Sequence, residues 1–232
     1  LSGSASVIAI QVTADLAAAR ALSSRWPPAA DALGMRFWPG PLTLVVPARA
    51  DVPQEVTAGL PSVGLRVPAH PVALALLREA GVPIAAPSAN RSNQLSPTTA
   101  GHVVASLGHT AGMILDGGPT DVGIESTVLD LTGHVPVVLR PGGITRDRLE
   151  SVIGPVDLAA KVVDASQPRA APGMMARHYA PRARLVLVPA CALPETQSTL
   201  TSGGHRVALL LMEAGAPAGV TAIRLPRDPE GY

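Results

Sequence analysis

A chain of 232 residues is long enough for one large domain and part of a second. Its 18 lysine and arginine residues nearly balance 17 aspartate and glutamate residues, and aromatic residues make up only 2%, so neither a broad basic surface nor an aromatic stacking platform for nucleic acid is expected. The single cysteine excludes an internal disulfide, and the longest apolar runs are too short to cross a bilayer, so we expect a cytoplasmic protein with no membrane partner.

Residues 7–153 predict an α/β domain with a mixed sheet, because strands and helices do not alternate strictly. Residues 126–131 and 135–139 flank a turn and should form a hairpin. In chain order, the predicted elements are a strand at 7–12, a helix capped by Thr13, a helix from Pro28 to about Phe37, a strand at 42–46, a short helix at 53–58, a strand at 63–67, a helix opened by His70, a strand at 82–86, a helix at 97–107 capped by Ser96, a strand at 112–115, the hairpin, and a helix capped by Thr145.

A change of composition after residue 153 predicts a linker over residues 154–183, rich in Pro, Ala, Ser, Gln and Arg. A second α/β pattern follows, with strands at 185–188, 206–212 and 220–225 and a helix from about Leu193. These elements are too few to close a doubly wound domain, so residues 184–232 are expected to be only part of one. Cys191 has apolar neighbours there and is predicted to be a buried thiol.

The stretch 82–100 places many uncharged donors and acceptors directly after a short apolar run. Ligands of open α/β sheets bind at the carboxyl ends of strands, where the first turn of the next helix offers free N–H groups. A binding site is one interpretation of this stretch. A capped loop whose hydroxyls satisfy its own backbone is the other.

Further polar side chains stand beside Pro or Gly turns at predicted strand ends, namely Arg66, Ser126 with its neighbours Glu125 and Thr127, and Arg140. Arginine forks onto carboxylate or phosphate oxygens, so the set suits an anionic small molecule. The alternatives are arginines that cover apolar surface and a strand hydroxyl bonded to backbone.

Taken together, these residues resemble one family, the YrdC-like threonylcarbamoyl-AMP synthases, in the long form that adds a linker and a small Rossmann-like domain. The resemblance runs in family order over residues 7–232. The matching motifs are FWPGPLT at 37–43, LRVP at 65–68, APSAN at 86–90, SPT at 96–98, DGG at 116–118, ESTV at 125–128, LRPG at 139–142 and RHYAP at 177–181.

The resemblance implies a YrdC-like twisted mixed sheet at residues 1–153, a linker that acts as a lid at 154–183, and a partial Rossmann-like domain at 184–232. It also implies an enzyme that condenses L-threonine, bicarbonate and ATP to threonylcarbamoyl-adenylate and pyrophosphate, for the threonylcarbamoyladenosine modification of tRNA. Mg²⁺ is expected to accompany ATP. RNA or tRNA, and the proteins of tRNA modification, are implied as further partners.

Residue roles also follow from the resemblance. Arg66, Ala86 and Ser126 would bind L-threonine, and the residues that would bind ATP are Ser62, Ser88, Asn90, Ser96, Arg140 and Tyr179. Two alternative functions stay open: a non-catalytic module that binds double-stranded RNA or tRNA, and a relative that transfers a carbamoyl group to another acceptor.

One departure from the family concerns the segment before the first predicted strand. The family places there a threonine-pocket residue and a Lys-x-Arg-Pro motif that handles the ATP phosphates, and Lys161 in the linker cannot replace it. The catalytic group is therefore not assigned, and we expect this segment to be missing from the sequence rather than lost from the protein.

Overall fold

The structure, a computed structural model, describes residues 8–91, 94–159, 183–212 and 220–225. The chain divides into two compact units, Leu1–Ala180 and Pro181–Tyr232. The described residues of both units combine helices with paired strands, which confirms the predicted α/β class. None of the helices in these described ranges is long and apolar enough to cross a membrane.

One mixed sheet of seven strands forms the centre of the first unit. Its strands are β1 (Gln11–Val12), β2 (Leu42–Pro47), β3 (Ser62–Arg66), β4 (Ile84–Ala85), β5 (Thr127–Asp130), β6 (Val137–Arg140) and β7 (Asp157–Leu158). They lie in the order β4-β1-β3-β2-β5-β6-β7. Three neighbouring pairs are parallel and three are antiparallel, which confirms the predicted mixed sheet, and β5 and β6 form the predicted hairpin.

Six α-helices accompany this sheet within the described part of the first unit. They are α1 (Leu16–Arg20), α2 (Pro28–Phe37), α3 (Gln54–Thr57), α4 (Pro71–Ala80), α5 (Ala100–Leu107) and α6 (Arg146–Ile153). The helix starts predicted at Pro28, His70 and Thr145 are confirmed, because α2 has proline at its first position and the side chains of His70 and Thr145 accept N–H groups of the first turn.

The main hydrophobic core lies between one face of the sheet and helices α2 and α6. Leu33 and Phe37 are four positions apart, so α2 turns both toward the sheet. On β2, Leu42 and Leu44 share the face that meets them, because side chains of a strand alternate. Leu33, Leu42 and Leu44 have no exposed surface. Burial of this kind contributes about 2 kcal/mol per large aliphatic side chain and fixes the strands whose ends carry the site.

The region from α4 to residue 125 is much less buried than this core. No residue of α5 is buried, and in α4 only Leu77 is. Residues 112–115 were expected to form a strand but do not, and Met113 is 82% exposed. Apolar composition alone predicted this strand, and no edge of the sheet pairs with it.

Two predicted helix caps are wrong. Helix α5 begins at Ala100, so Thr99 and not Ser96 is at the cap position, and the Thr99 side chain accepts the N–H of His102. The hydroxyl of Ser96 is bonded to the carboxylate of Glu125. Asp15, not Thr13, caps α1, and its Oδ1 accepts the N–H of Ala18 at 2.8 Å. The predicted strands at 7–12 and 82–86 are shorter than expected, since β1 and β4 contain two residues each.

The second unit contains a parallel strand pair, β8 (Ala208–Leu211) and β9 (Thr221–Arg224), and a helix before it, α7 (Leu193–Ser202). Residues 185–188 were expected to form a strand, but they are irregular. Cys191 lies in a short 3-10 turn that leads into α7 and is exposed, so the prediction of a buried thiol is wrong.

Candidate functional site

Four neighbouring strands bring two predicted arginines and Ser126 to one edge of the sheet. Arg66 ends β3, Arg140 ends β6, and Ser126 directly precedes β5. Since β2 runs antiparallel to β3 and parallel to β5, and β6 runs antiparallel to β5, the ends of β3 and β6 lie beside the starts of β2 and β5. The site is therefore formed at this edge by strands of both directions.

Arg140 is the most firmly held side chain at this edge. Its Nε and one terminal nitrogen donate to the backbone oxygen of Ser126 at 3.1 and 2.9 Å, and the same terminal nitrogen donates to Ser126 Oγ at 3.0 Å. That nitrogen also lies 3.6 Å from Glu125 Oε2, and the Arg140 side chain is only 8% exposed. These contacts fix the plane of the guanidinium group before any ligand binds.

The hydroxyl of Ser126 is buried and belongs to a short chain of hydrogen bonds. It lies 2.8 Å from Thr43 Oγ1 on β2, with either hydroxyl able to donate, and it accepts from Arg140. Gly142 packs directly against the backbone on which Ser126 lies. A Cβ atom on Gly142 would overlap the backbone of Glu125, Ser126 and Thr127. The turn after β6 can approach the start of β5 this closely only with glycine.

Arg66 is half-buried and less completely bonded than Arg140. Its Nε donates to the backbone oxygen of Gly40 at 2.9 Å, and among the described residues its terminal nitrogens have no hydrogen-bond acceptor. Burial lowers the pKa of Arg66; the charge of Glu125 opposes this effect and the charge of Arg140 adds to it. An incoming carboxylate or phosphate would gain both donors and charge here.

Glu125 links the 82–100 stretch to the strand ends. The Ser96 hydroxyl donates to Glu125 Oε1, while Glu125 Oε2 faces Arg140. The sequence marked Glu125 only as a polar neighbour of Ser126 and gave it no role. The ESTV motif was the signal that could have found it.

Ala86, which directly follows β4, lies apart from Arg66. The N–H of Ala86 bonds to the backbone oxygen of Ile10 at 2.9 Å, so the chain after β4 runs alongside β1. Arg66 pairs with Val12, two residues further along β1, so Ala86 lies about 7 Å from Arg66 in the strand direction and two strands away from β3 in the sheet. Ala86 and Ser88 are exposed.

Asn90 holds its own loop together. Its amide nitrogen donates to the backbone oxygens of Arg91 and Gln94 at 2.9 and 3.1 Å. Its Oδ1 is buried and has no partner among the residues that the structure describes. Asn90 therefore bonds within its own loop, whereas the Ser96 hydroxyl of the same stretch bonds outside it, to Glu125, so the binding site and the capped loop both remain predictions for this stretch.

One predicted ATP contact, Ser62, lies away from the strand ends. Ser62 is buried and begins β3, so it lies about 13 Å from Arg66 along the strand. Tyr179 lies outside the described residues. In those residues, no three His, Cys, Asp or Glu side chains are grouped closely enough to hold a metal ion.

The strand-end cluster, by which we mean Arg66, Ser96, Glu125, Ser126 and Arg140, carries two arginines against one carboxylate. Its hydroxyls and guanidinium groups can bind and orient anions. It offers no histidine or cysteine for proton transfer or nucleophilic attack. Its chemistry is that of a site that binds anions and neutralises their charge.

Comparison with known proteins matches both units to one group of enzymes. A family model described as Telomere recombination, which groups Sua5, YciO and YrdC, matches residues 8–142. A second, described as Threonylcarbamoyl-AMP synthase, C-terminal domain, matches residues 144–232. The threonylcarbamoyl-AMP synthase of Bacillus subtilis is 46% identical over 88% of this chain, and that of Pyrococcus abyssi is 48% identical over 72%. This chain spans 60% of the first relative and 49% of the second.

Solved structures show the same likeness. A crystal structure of Pyrococcus abyssi Sua5 complexed with L-threonine is 38% identical and superposes with a TM-score of 0.85, covering 97% of this chain and 67% of that one. A variant of the same protein, with a consecutive histidine and tyrosine replaced by alanine, gives 37% and 0.86. The predicted family is confirmed: the chain belongs to the Sua5, YciO and YrdC family, in the long form that carries a Sua5 C-terminal domain.

Proposed function

We propose that the protein condenses L-threonine, bicarbonate and ATP to threonylcarbamoyl-adenylate and pyrophosphate, as a step in the threonylcarbamoyladenosine modification of tRNA. The observation that carries the proposal is the meeting of Arg66 and Arg140 beside the buried Ser126 at one sheet edge. The likeness to a structure that holds L-threonine supports it.

Arg66 is proposed to bind the carboxylate of L-threonine. Its terminal nitrogens have no acceptor within the described ranges, and its partly desolvated charge favours an anionic partner. Ser126 would line the same pocket, held by Thr43 and Arg140. Ala86 is also proposed for this pocket, although it lies two strands away and would need the ligand or the loop to close the distance.

Arg140 and Ser96 are proposed to contact the phosphates of ATP, since both are hydrogen-bond donors that lie against the carboxylate of Glu125. Ser88 and Asn90 would contact the nucleotide from the loop after β4, where Asn90 Oδ1 is a buried acceptor without a partner in the described part of the chain. Ser62 and Tyr179 remain predictions for ATP. The sequence contains one His-Tyr pair, at 178–179, of the kind replaced in the Pyrococcus variant.

The chemistry explains why arginines suit this site. The threonine amine bonds to the carbon of bicarbonate with loss of water, and an oxygen of the resulting carbamate attacks the α-phosphorus of ATP while the bond to pyrophosphate breaks. Carboxylate, carbamate and triphosphate repel one another. Fixed positive charge that faces them lowers this repulsion, most strongly in the transition state. Mg²⁺ would arrive with ATP as part of the substrate.

The division into domains at 1–153, 154–183 and 184–232, the cytoplasmic location and the partners RNA, tRNA and tRNA-modification proteins remain predictions. No observation on the described residues favours a non-catalytic RNA-binding module. A carbamoyl transfer to another acceptor would share the arginines and would differ only in the amine it accepts.

The proposal is tested by pyrophosphate release from ATP in the full-length protein. We expect release that requires both L-threonine and bicarbonate and that serine or valine does not replace. Release without threonine dependence, or none at all, contradicts the synthase. Equal stimulation by another amine would support the carbamoyl-transfer alternative.

A further inference from the structure

Glu125 lies between two groups that the proposed function assigns to the phosphates of ATP. One carboxylate oxygen accepts from the Ser96 hydroxyl, and the other lies 3.6 Å from a terminal nitrogen of Arg140. The Glu125 side chain is 28% exposed, so an anion from solvent can reach the same place.

The hydrogen bond to Ser96 uses the single proton that this side chain can donate. A serine hydroxyl has one donor and two acceptor positions, whereas an ionised carboxylate only accepts. The Ser96 proton must therefore point to Glu125 in this structure. Phosphate oxygens also only accept, so a phosphate can bond to Ser96 through this proton only after Glu125 gives it up.

Arg140 adds a second shared donor. The terminal nitrogen that bonds to Ser126 also faces Glu125, and the charge of Glu125 acts on Arg66 as well. One carboxylate thus partly neutralises both arginines of the strand-end cluster. It occupies the position in which a bound phosphate would be attracted by the two arginines.

We propose that Glu125 is an internal anion, which holds Ser96 and Arg140 while the site is empty and is displaced from them by a phosphate-bearing ligand. That the ligand is ATP rests on the proposed function. Competition for the two donors rests only on the contacts of Glu125.

The surroundings of Glu125 allow its side chain to leave without moving its backbone. Ser126, the next residue, is fixed by Arg140 and Thr43, and the turn at Gly142 packs directly on the backbone of residues 125–127. A side chain on a fixed backbone can change rotamer once its own contacts are broken. Displacement therefore needs no rearrangement of the strand ends.

The test is the substitution Glu125→Gln in the full-length protein, with binding measured by calorimetry. Glutamine keeps the shape and an acceptor for Ser96 but removes the charge. We expect tripolyphosphate and ATP each to bind about tenfold more tightly, the effect of removing one negative charge a few ångströms from the phosphates. Unchanged or weaker binding of both probes overturns the proposal, because a residue that positions the donors for phosphate would weaken binding when altered.

Glu55→Gln is the matched control. Glu55 is exposed on α3, which precedes the start of β3 and so lies toward the sheet edge opposite Arg66. Its substitution changes the net charge equally and should leave both affinities unchanged. Should Glu125→Gln fold poorly in a thermal melt, Glu125→Ala replaces it, with the same direction expected.

Ser96 supplies a second readout. If the carboxylate competes for the Ser96 proton, the gain in phosphate affinity from Glu125→Ala, which leaves no acceptor for that proton, should shrink in a Ser96→Ala background. A full gain in that background contradicts competition at Ser96. Tripolyphosphate distinguishes this proposal from the proposed synthase function. Tighter binding by Glu125→Gln, without threonine-dependent pyrophosphate release by the unsubstituted protein, contradicts only the proposed function. Threonine-dependent release without tighter binding contradicts only the role of Glu125 as an internal anion.

Discussion

The strand-end cluster and the loop after β4 both carry predicted substrate contacts, but they are held in different ways. At the strand ends, Arg140 and Ser126 are buried and bonded to each other. In the loop, Ser88 is exposed, and Asn90 bonds to Arg91 and Gln94 of the same loop. The first group is positioned by the sheet, and the second is positioned by its own local turns.

Because the two regions are held differently, removal of a side chain should affect mainly folding in one region and mainly binding in the other. A side chain fixed by the sheet is ready for its ligand at little entropic cost, but its removal disturbs the fold as well. A side chain on an exposed loop can be removed with little effect on the fold, and the loss appears in binding. Mutations in the two regions should therefore differ in kind as well as in size.

The largest effect is expected from Gly142→Ala. The new Cβ atom would overlap the backbone before and within β5, so the turn that supports Arg140 must move away. We expect the free energy of unfolding to fall by about 3 kcal/mol, the upper range for overpacking, as measured by chemical denaturation. Binding at the strand ends should weaken with it.

Gly133→Ala is the matched control for this substitution. Gly133 is exposed in the turn between β5 and β6, and its nearest neighbour would be an ordinary contact at 3.8 Å. A change within about 0.5 kcal/mol is expected. If both glycine variants are equally stable, the close packing of Gly142 does not hold the strand ends together.

The next effect is expected from Arg66→Gln, which removes the proposed partner of the threonine carboxylate. Loss of a charge-assisted fork should raise KM for L-threonine about 100-fold and change KM for ATP much less. Steady-state pyrophosphate release measures both. The sheet should tolerate the change, because the described contacts of Arg66 include only one hydrogen bond, to Gly40.

Arg49→Gln provides the comparison for Arg66. Arg49 is exposed and paired with Asp51, and an exposed ion pair contributes little. Neither KM should change. A parallel rise of both KM values in Arg66→Gln would show that Arg66 acts on the site as a whole and not on the carboxylate.

Sequence patterns predicted the features of the fold that depend on interactions between residues close together in the chain, such as helix starts. Pro28, His70 and Thr145 open helices by fixing the backbone or accepting N–H groups of the first turn. The two arginines were found because each ends an apolar run beside a turn. Their meeting at one edge follows from strand order, which residue patterns alone did not supply.

Features that depend on distant partners were missed. Glu125 and Ser96 are 29 positions apart, and nothing near either residue indicates the bond between them. Helix α5 begins four residues after Ser96, at Ala100, so Thr99 has the capping role that was predicted for Ser96. Residues 112–115 are apolar enough for a strand, but a strand also requires a paired neighbour.

The smallest difference, and the most direct comparison of the two regions, is between Ser126→Ala and Ser88→Ala. Both remove one hydroxyl that the proposed function places against substrate. The Ser126 hydroxyl is buried between Thr43 and Arg140, so its loss leaves those partners without one hydrogen bond inside the protein. The Ser88 side chain is exposed and makes no hydrogen bond with the described residues.

We expect Ser126→Ala to lower the free energy of unfolding by about 1 to 2 kcal/mol and Ser88→Ala to change it by less than about 0.5 kcal/mol. The Ser126 loss stays modest because Arg140 keeps both hydrogen bonds to the backbone oxygen of residue 126, which alanine retains. Chemical denaturation of the two variants measures the difference. Equal losses would mean that the exposed loop after β4 is held as tightly as the strand ends, and that the contrast between the regions concerns solvent exposure alone.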